Sequence, residues 1–227
     1  MLYEEDGSIL NLDINSSFII GSGVYGSVYR IDRDACIKLF RPTKELGLIE
    51  RNIDYLRSIR SDIDSHNIYD IYTKVYNDDG FIGYIMKYYE NKDLMDFSKR
   101  YLFENYESIR SLFQRLGSCG IYLSDLHKNN LLVTDEGLIL IDCDFIGKTF
   151  DTCKAYYTGM SLFNQAIKEL FLKYGVINGL NIEEIMGLYN EFNYYKNRYD
   201  CDEKIKSWKN KMNQNTEEAL TFLKLKE

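Results

Sequence analysis

The chain of 227 residues is long enough for one large domain or two small lobes sharing a cleft, and its 45% hydrophobic and 28% charged residues are the balance of a folded protein. A formal charge of −7 argues against a general nucleic-acid binder, because phosphate backbones are held by clustered Lys and Arg. Met1 to Ser17 show no charged-then-apolar leader, and no apolar run approaches the roughly 20 residues that span a bilayer, so no membrane span and a cytoplasmic location are expected.

The first predicted elements are two strands joined by a glycine-rich turn, FIIGSGVYGSVYRI over 18–31: apolar Phe18, Ile19 and Ile20, then Gly21, Gly23 and Gly26, then Val28, Tyr29 and Ile31. Glycines let backbone amides close on phosphate oxygens with no Cβ in the way. The same spacing occurs in dinucleotide-binding folds, where a helix follows the last glycine; here a strand follows, which disfavours that fold. After the turn Asp32-Arg33-Asp34 comes a third strand, Ala35 to Phe40, in which Lys38 interrupts an apolar run. A lysine there is either solvent-facing on an edge strand or a buried cation that must be paired, and the second reading makes it a ligand for phosphates.

Residues 44–60 carry Leu46, Ile49, Ile53 and Leu56 at helical spacing, an amphipathic helix with Glu50 flanking the apolar stripe. Glu50 is the expected partner of Lys38, with Glu45 as the alternative and a solvated face as the plain reading of both. Ile71–Val75 and Phe81–Met86 follow as strands around the hairpin signal Asn77-Asp78-Asp79-Gly80, which completes five strands with one helix inserted after the third. Tyr88 to Lys92 then connect to a helical second half. If the glycine turn holds a nucleotide's phosphates, backbone groups of Lys87 and Tyr89 are expected at an adenine edge and Asp93 at a ribose.

Leu94 to Gly120 read as helical and end in glycine. A strand pair around Leu131–Val133 and Leu138–Ile141 turns at Asp135-Glu136-Gly137 and holds Asn130 and Asp142 at neighbouring ends. From Phe150 onward the pattern is helical, notably 156–175 and 202–225. The five cysteines, Cys36, Cys119, Cys143, Cys153 and Cys201, have no C-x-x-C spacing and only two histidines accompany them, so they read as reduced, mostly buried thiols rather than a disulfide or zinc set.

The strings SDLHKNNLLV (124–133) and LILIDCDFIG (138–147) carry the densest chemistry. Phosphoryl transfer needs a carboxylate that orients the acceptor hydroxyl and oxygen ligands that hold Mg²⁺ against the ATP phosphates. Asp125 fits the first role, and Asn130 and Asp142 fit the second. Lys128, two residues before Asn130, reads either as a catalytic group near the transferred phosphoryl or as a solvated loop lysine.

Together these strings resemble the protein-kinase-like superfamily over roughly residues 18–175. GSGVYGSVY resembles its glycine-rich loop, CIK its ATP-lysine strand, Ser65-His66-Asn67-Ile68 the loop after its helix, and Met86 the residue before its hinge. The resemblance implies an α+β, bilobal fold over 1–227: a five-stranded antiparallel lobe with one helix (about 1–87), a hinge (about 88–92) and a shortened, mainly helical lobe (about 93–227). It implies ATP and Mg²⁺ as ligands. Asp125, Lys38 and Lys128 would be catalytic and Asn130 and Asp142 metal-binding. Gly21, Ser22, Gly23, Val24, Gly26, Val28, Cys36, Lys38, Glu50, Met86, Lys87, Tyr89, Asp93 and Leu132 would surround the nucleotide.

The departures point away from switching by activation-loop phosphorylation and bear on the acceptor. Leu123-Ser124-Asp125 replaces His-Arg-Asp, so the arginine that senses a phosphorylated activation loop is absent. His127 stands where protein kinases place a lysine, giving the D-L-H-x-x-N form of aminoglycoside-type kinases. Asp142-Cys143-Asp144 replaces Asp-Phe-Gly, and Asp144 is either a second acid near the metal or a solvated turn residue. Little chain is left for an activation segment. The expected function is a minimal Ser/Thr protein kinase, with a small-molecule (aminoglycoside- or choline-type) kinase or an ATP-binding pseudokinase as alternatives.

Overall fold

Along Ala35–Phe40 the odd-numbered side chains Ile37 and Leu39 pack on one face and Cys36, Lys38 and Phe40 on the other, the alternation of a strand covered on both sides. Around this strand the computed structural model, which describes residues 1–11, 19–63, 66–96 and 99–192, builds one antiparallel sheet. Its strands are β1 (Tyr3–Glu4), β2 (Ile19–Ser22), β3 (Gly26–Arg30), β4 (Ala35–Phe40), β5 (Ile71–Asn77) and β6 (Gly80–Lys87), in the order β1-β5-β6-β4-β3-β2. The sheet therefore has six strands, not five. The extra strand is a two-residue segment, Tyr3 and Glu4 against Tyr76 and Val75, too short to leave an alternation signal in the sequence.

Register sets which side chains share a row. Lys38 lies opposite Val28 on one side and Tyr84 on the other, and Tyr84 lies opposite Lys74. Directly opposed residues point to the same face, so Lys38 and Lys74 flank Tyr84 on one side of the sheet. Strands approach closely here: a Cβ on Gly83 would stand 2.0 Å from the Lys38 carbonyl oxygen, and one on Gly26 would stand 2.2 Å from that of Leu39. Gly26 is thus required by strand packing, whatever the turn before it binds.

Helix α1 (Leu46–Ser58) buries Ile49, Asn52, Ile53 and Leu56, the i, i+3, i+4, i+7 stripe. Each of its fully buried isoleucines contributes about 2 kcal/mol. A single turn, α2 (Arg60–Ile63), follows, so the predicted helix over 44–60 is shorter at its start and resumes after a break at Ile59.

The second half contains α3 (Lys99–Ser118), β7 (Ile121–Leu123), β8 (Leu131–Thr134), β9 (Gly137–Leu140), β10 (Ile146–Lys148) and α4 (Thr152–Ile177), with a further helical stretch over 182–192. The predicted helix over 94–120 is instead a 3₁₀ turn (Leu94–Asp96) and α3, and Gly120 closes α3 at φ +69°, a backbone state that favours glycine. Helix α4 starts four residues before its predicted beginning, because Asp151 caps it by accepting a hydrogen bond from the Lys154 amide at 2.9 Å. Pairing of β8 with β9 and of β7 with β10 brings the 124–133 and 138–147 strings together.

One large apolar cluster runs from the α1 side of the sheet through α3 to α4, and a smaller one of Ala35, Ile37, Val75 and Ile85 covers the sheet's other face. Of the cysteines, Cys36 and Cys143 are buried, Cys119 is half-buried and Cys153 is exposed, all as free thiols. Among the described residues no helix is long and apolar enough to cross a membrane. The expectations for Phe18, Ser65, Cys201 and the helix over 202–225 lie outside the described residues.

Candidate active site

A cavity of about 610 Å³ opens between the β2–β3 hairpin and the loops of the second half. Its roof is the hairpin, Gly21 to Gly26 with Val28; its walls are Lys38, Asp125, His127 and Asn130; its far side is Ile141, Asp142, Asp144 and Phe145. The hairpin turn is closed by the Gly23 amide donating to the Gly26 carbonyl at 2.9 Å and by contact of the Ser22 and Ser27 hydroxyls at 3.1 Å. A Cβ on Gly23 would meet nothing within 4 Å, so this part of the turn faces open space. The Tyr25 ring packs on Phe145, 4.7 Å between centroids, and brings the hairpin tip down on the segment that carries Asp142.

Asp125 is exposed at the end of the loop after β7. Backbone and side-chain bonds from Ser124 to the Phe145 carbonyl (3.2 and 3.0 Å) anchor that loop to the strand entering β10. Asn130 is buried, and its Nδ2 donates to the Asp125 carbonyl at 2.7 Å, which leaves Oδ1 as the group it can offer a cation. The Ile141 amide donates to the Asn130 carbonyl at 2.9 Å, fixing Asn130 beside the residue that precedes Asp142. His127 Nε2 lies 3.8 Å from Asp125 Oδ1, while its Nδ1 accepts from the Asn129 amide at 3.2 Å.

Asp142 has φ +61°, the sole described non-glycine residue in the left-handed region. Asp tolerates that state better than bulky residues, but it still carries backbone strain, and such strain collects at functional positions. Lys38 Nζ donates to Asp142 Oδ1 and to Asp144 Oδ2. Burial alone would lower the Lys38 pKa; Asp144 and then Asp142 outweigh it and raise it, so Lys38 is an ammonium ion. Burial pushes the Asp144 carboxyl up against the pull of Lys38. Burial, reinforced by Asp144, raises the Tyr69 and Tyr84 phenols well above their ordinary value, so both remain hydrogen-bond donors.

The expected partnership of Lys38 with Glu50 is not the one formed. Glu50 accepts from the Tyr76 hydroxyl at 2.8 Å and lies 3.5 Å from Lys74 Nζ, which also meets Asp54 at 2.8 Å and Glu5 at 3.4 Å. The reason is rotational: the buried stripe of α1 runs through Ile49 and Ile53, and Glu50 sits to its β5 side, where Lys74 rather than Lys38 waits. Glu45 is at the exposed start of α1, with no side-chain capping bond. Glu50 therefore stands outside the cavity.

The connection after β6 does not line the cavity either. The Lys87 amide, expected to be available to an adenine edge, donates to the Asp70 carbonyl at 2.9 Å, and Lys87 Nζ meets Glu136 at 2.7 Å. Tyr89 is buried with its hydroxyl 3.3 Å from Asp70 Oδ2. Asp93 is engaged by the Met95 amide and by Asn178 Nδ2 at 2.7 Å. Cys36, with its thiol pushed up to about 12 by burial, and Met86 belong to the apolar core; Leu132 is half-buried against it. Lys128 opens the 3₁₀ turn Lys128–Asn130 and is absent from the cavity wall. The geometry thus gathers the glycine hairpin with Val28, Lys38 and residues of the 124–133 and 138–147 strings, and leaves Lys87, Tyr89 and Asp93 outside.

No protein-family profile and no curated protein sequence matches this chain. Among solved structures it is similar to a Legionella pneumophila kinase, Lpg2603, bound to IP6. That likeness has a TM-score of 0.48 at 15% identity over 67% of this chain and 58% of that one, so the chain spans less than two thirds of that protein's length.

The donor types suit a hard cation: an amide oxygen on Asn130 and the second oxygen of Asp142. Among the described residues no group of three or more His, Cys, Asp or Glu side chains is placed to cage a metal. Two protein oxygens are what Mg²⁺ takes when phosphates and waters supply the rest. Sequence reasoning missed the weight of Asp144, which is 1% exposed and enclosed by Lys38, Tyr69, Tyr84 and Asn52. One signal was present: Asn52 falls inside the apolar stripe of α1, and a polar residue there needs a buried partner.

Proposed function

We propose that the chain is an ATP- and Mg²⁺-dependent phosphotransferase acting on a hydroxyl acceptor, as a minimal Ser/Thr protein kinase. The observation that carries this reading is the convergence on one cavity of the glycine hairpin, Lys38, Asp125, Asn130 and Asp142, from four separate stretches of chain. In this reading Asp125, exposed at the cavity wall, orients the acceptor hydroxyl and takes its proton. Lys38 neutralises phosphate charge, and the hairpin covers the transferring group and excludes water. Asn130 and Asp142 hold Mg²⁺, which supplies charge stabilisation at the phosphate oxygens when bound.

A second reading, transfer to a small molecule, draws on the short chain between Asp142 and α4. Residues 143–151 are partly taken up by β10, which pairs with β7, and leave little surface on which an extended peptide would lie. His127 beside Asp125 also favours a compact acceptor.

The experiment is incubation of the purified protein with γ-labelled ATP, Mg²⁺ and a cell extract, separating protein from small molecules, with Asp125→Ala alongside. Label on protein that vanishes in the variant supports the protein-kinase reading, and label on a metabolite moves the assignment to the second. ATP binding with no variant-sensitive transfer to either fraction overturns both in favour of a pseudokinase.

A further inference from the structure

We propose that Asp144, rather than a carboxylate of helix α1, is the residue that positions Lys38 in the cavity. The role of Lys38 rests on the phosphotransferase reading; the way it is held does not. Both carboxylate oxygens of Asp144 are committed. Oδ2 receives Lys38 Nζ, while Oδ1 receives the Tyr84 hydroxyl at 2.8 Å and lies 3.1 Å from the Tyr69 hydroxyl. The two hydroxyls are 3.2 Å apart, and the backbone carbonyl of Asp144 accepts from Asn52 Nδ2 at 2.9 Å. A carboxylate 1% exposed and so surrounded is built to hold a fixed cation of the protein, not to exchange a solvated metal ion.

Asp142 differs in each respect. Its side chain is 38% exposed, and among the described residues one of its oxygens has no protein partner. If Asp142 turns its oxygens to a cation, Asp144 is the carboxylate left to keep the Lys38 ammonium in place. Helix α1 contributes to this site through an amide and not through its carboxylates, which go to Lys74. Asn52 lies two residues, about 200° of helical rotation, from Glu50, and it is Asn52 that reaches the site, by fixing the backbone of Asp144. Asp144 is therefore a positioning residue, with Asn52, Tyr69 and Tyr84 as its supports.

The test is a pair of double-mutant cycles on the full chain: Lys38→Met with Asp144→Asn, and Lys38→Met with Glu50→Gln. Each protein is melted without nucleotide, titrated with ATP at saturating Mg²⁺, and titrated with Mg²⁺ at fixed ATP. In the first cycle each single variant is expected to lower the melting temperature by about 3–6 °C, and the double variant by at least about 3 °C less than their sum. In the second cycle the effects add. Asp144→Asn weakens ATP binding about tenfold in the parent and less than about threefold in Lys38→Met, with the Mg²⁺ midpoint unchanged. Tyr84→Phe, which keeps the ion pair and removes one support, is expected to shift the same quantities in the same direction by less, and stands in for Asp144→Asn should that variant not fold. Additive melting in the first cycle, coupling in the second, or a raised Mg²⁺ midpoint with ATP affinity intact overturns the proposal. If no form binds ATP, the phosphotransferase reading falls, while the melting cycles still decide which carboxylate holds Lys38.

Discussion

Lys38 and Lys74 stand in one row of one sheet, on either side of Tyr84, and both are buried, yet their surroundings make them different kinds of residue. The carboxylates of Lys38 come from Asp142 and Asp144, more than a hundred residues along the chain, and both line the cavity, Asp142 exposed to it and Asp144 at its base. Those of Lys74 come from Glu5, Glu50 and Asp54, on the first strand's hairpin and on α1, and they face the outside of the molecule. The first arrangement holds a cation where a ligand can reach it. The second clamps three pieces of the sheet region together. What separates a catalytic candidate from a structural lysine is thus not its own burial but where its counter-charges lead.

The sharpest break of this symmetry is removal of each ammonium. Lys38→Met is expected to lower phosphoryl transfer by about 10²-fold or more, as for loss of a charge that stabilises the transferring phosphate, measured as label transfer from ATP. Lys74→Met is expected to leave transfer per folded molecule within about threefold. The next largest effect is on the row itself. With its Cβ 2.0 Å from the Lys38 carbonyl oxygen, Gly83→Ala is expected to cost about 2–3 kcal/mol in denaturant unfolding, whereas Gly23→Ala, with open space around it, stays within about 0.5 kcal/mol.

Lys74→Met follows, at about 1–2 kcal/mol in the same assay, a figure held down because its carboxylate partners are 29% to 49% exposed and solvent screens them. The smallest effect is a pH dependence at the outer end of the clamp. Burial acts to raise the Glu5 pKa, but Arg57 and Lys74 outweigh it and hold the carboxyl below its ordinary range. A lowered carboxylate stabilises the fold above its unfolded value of about 4.3 and loses that contribution as pH falls through the folded value. Lys74, raised by Asp54 and Tyr76 against its burial, changes only at alkaline pH, as pH rises past its unfolded value of about 10.4 and through the higher folded one. Protection of the Glu4 amide, which donates to the Ser8 carbonyl beside Glu5, should therefore fall relative to its intrinsic exchange rate below about pH 4, and Glu5→Gln should abolish the step.

The sequence carried the local patterns well. Alternation marked the strands from Ile19 to Met86, the i, i+3, i+4, i+7 stripe marked α1, and the spacing of Asp125, Asn130 and Asp142 singled out residues that line one cavity. It failed where the answer depended on rotation or on distance along the chain. Nothing local to Glu50 says that α1 turns it toward Lys74, and nothing local to Asp144 says that Tyr69 and Tyr84, 75 and 60 residues earlier, close over it. The strand Tyr3–Glu4 was illegible for a simpler reason, since two residues cannot display a period. Of the residues expected beside an adenine and a ribose, the Lys87 amide and the Asp93 carboxylate find protein partners instead, and the Tyr89 hydroxyl turns to Asp70, contacts no local pattern announces.

The apolar cluster that runs unbroken from α1 through α3 to α4 has a mechanical consequence. A seam filled with interlocking side chains is stiff, because separating its sides would expose apolar surface along its whole length. The hairpin tip lies outside that seam: Val24 and Tyr25 are exposed there, and the ring contact of Tyr25 with Phe145 spans the cavity rim. Among the described residues, the rim is thus bridged by one pair of rings while the floor is tied by a continuous apolar seam, so loosening the Tyr25–Phe145 contact opens the rim without parting the seam.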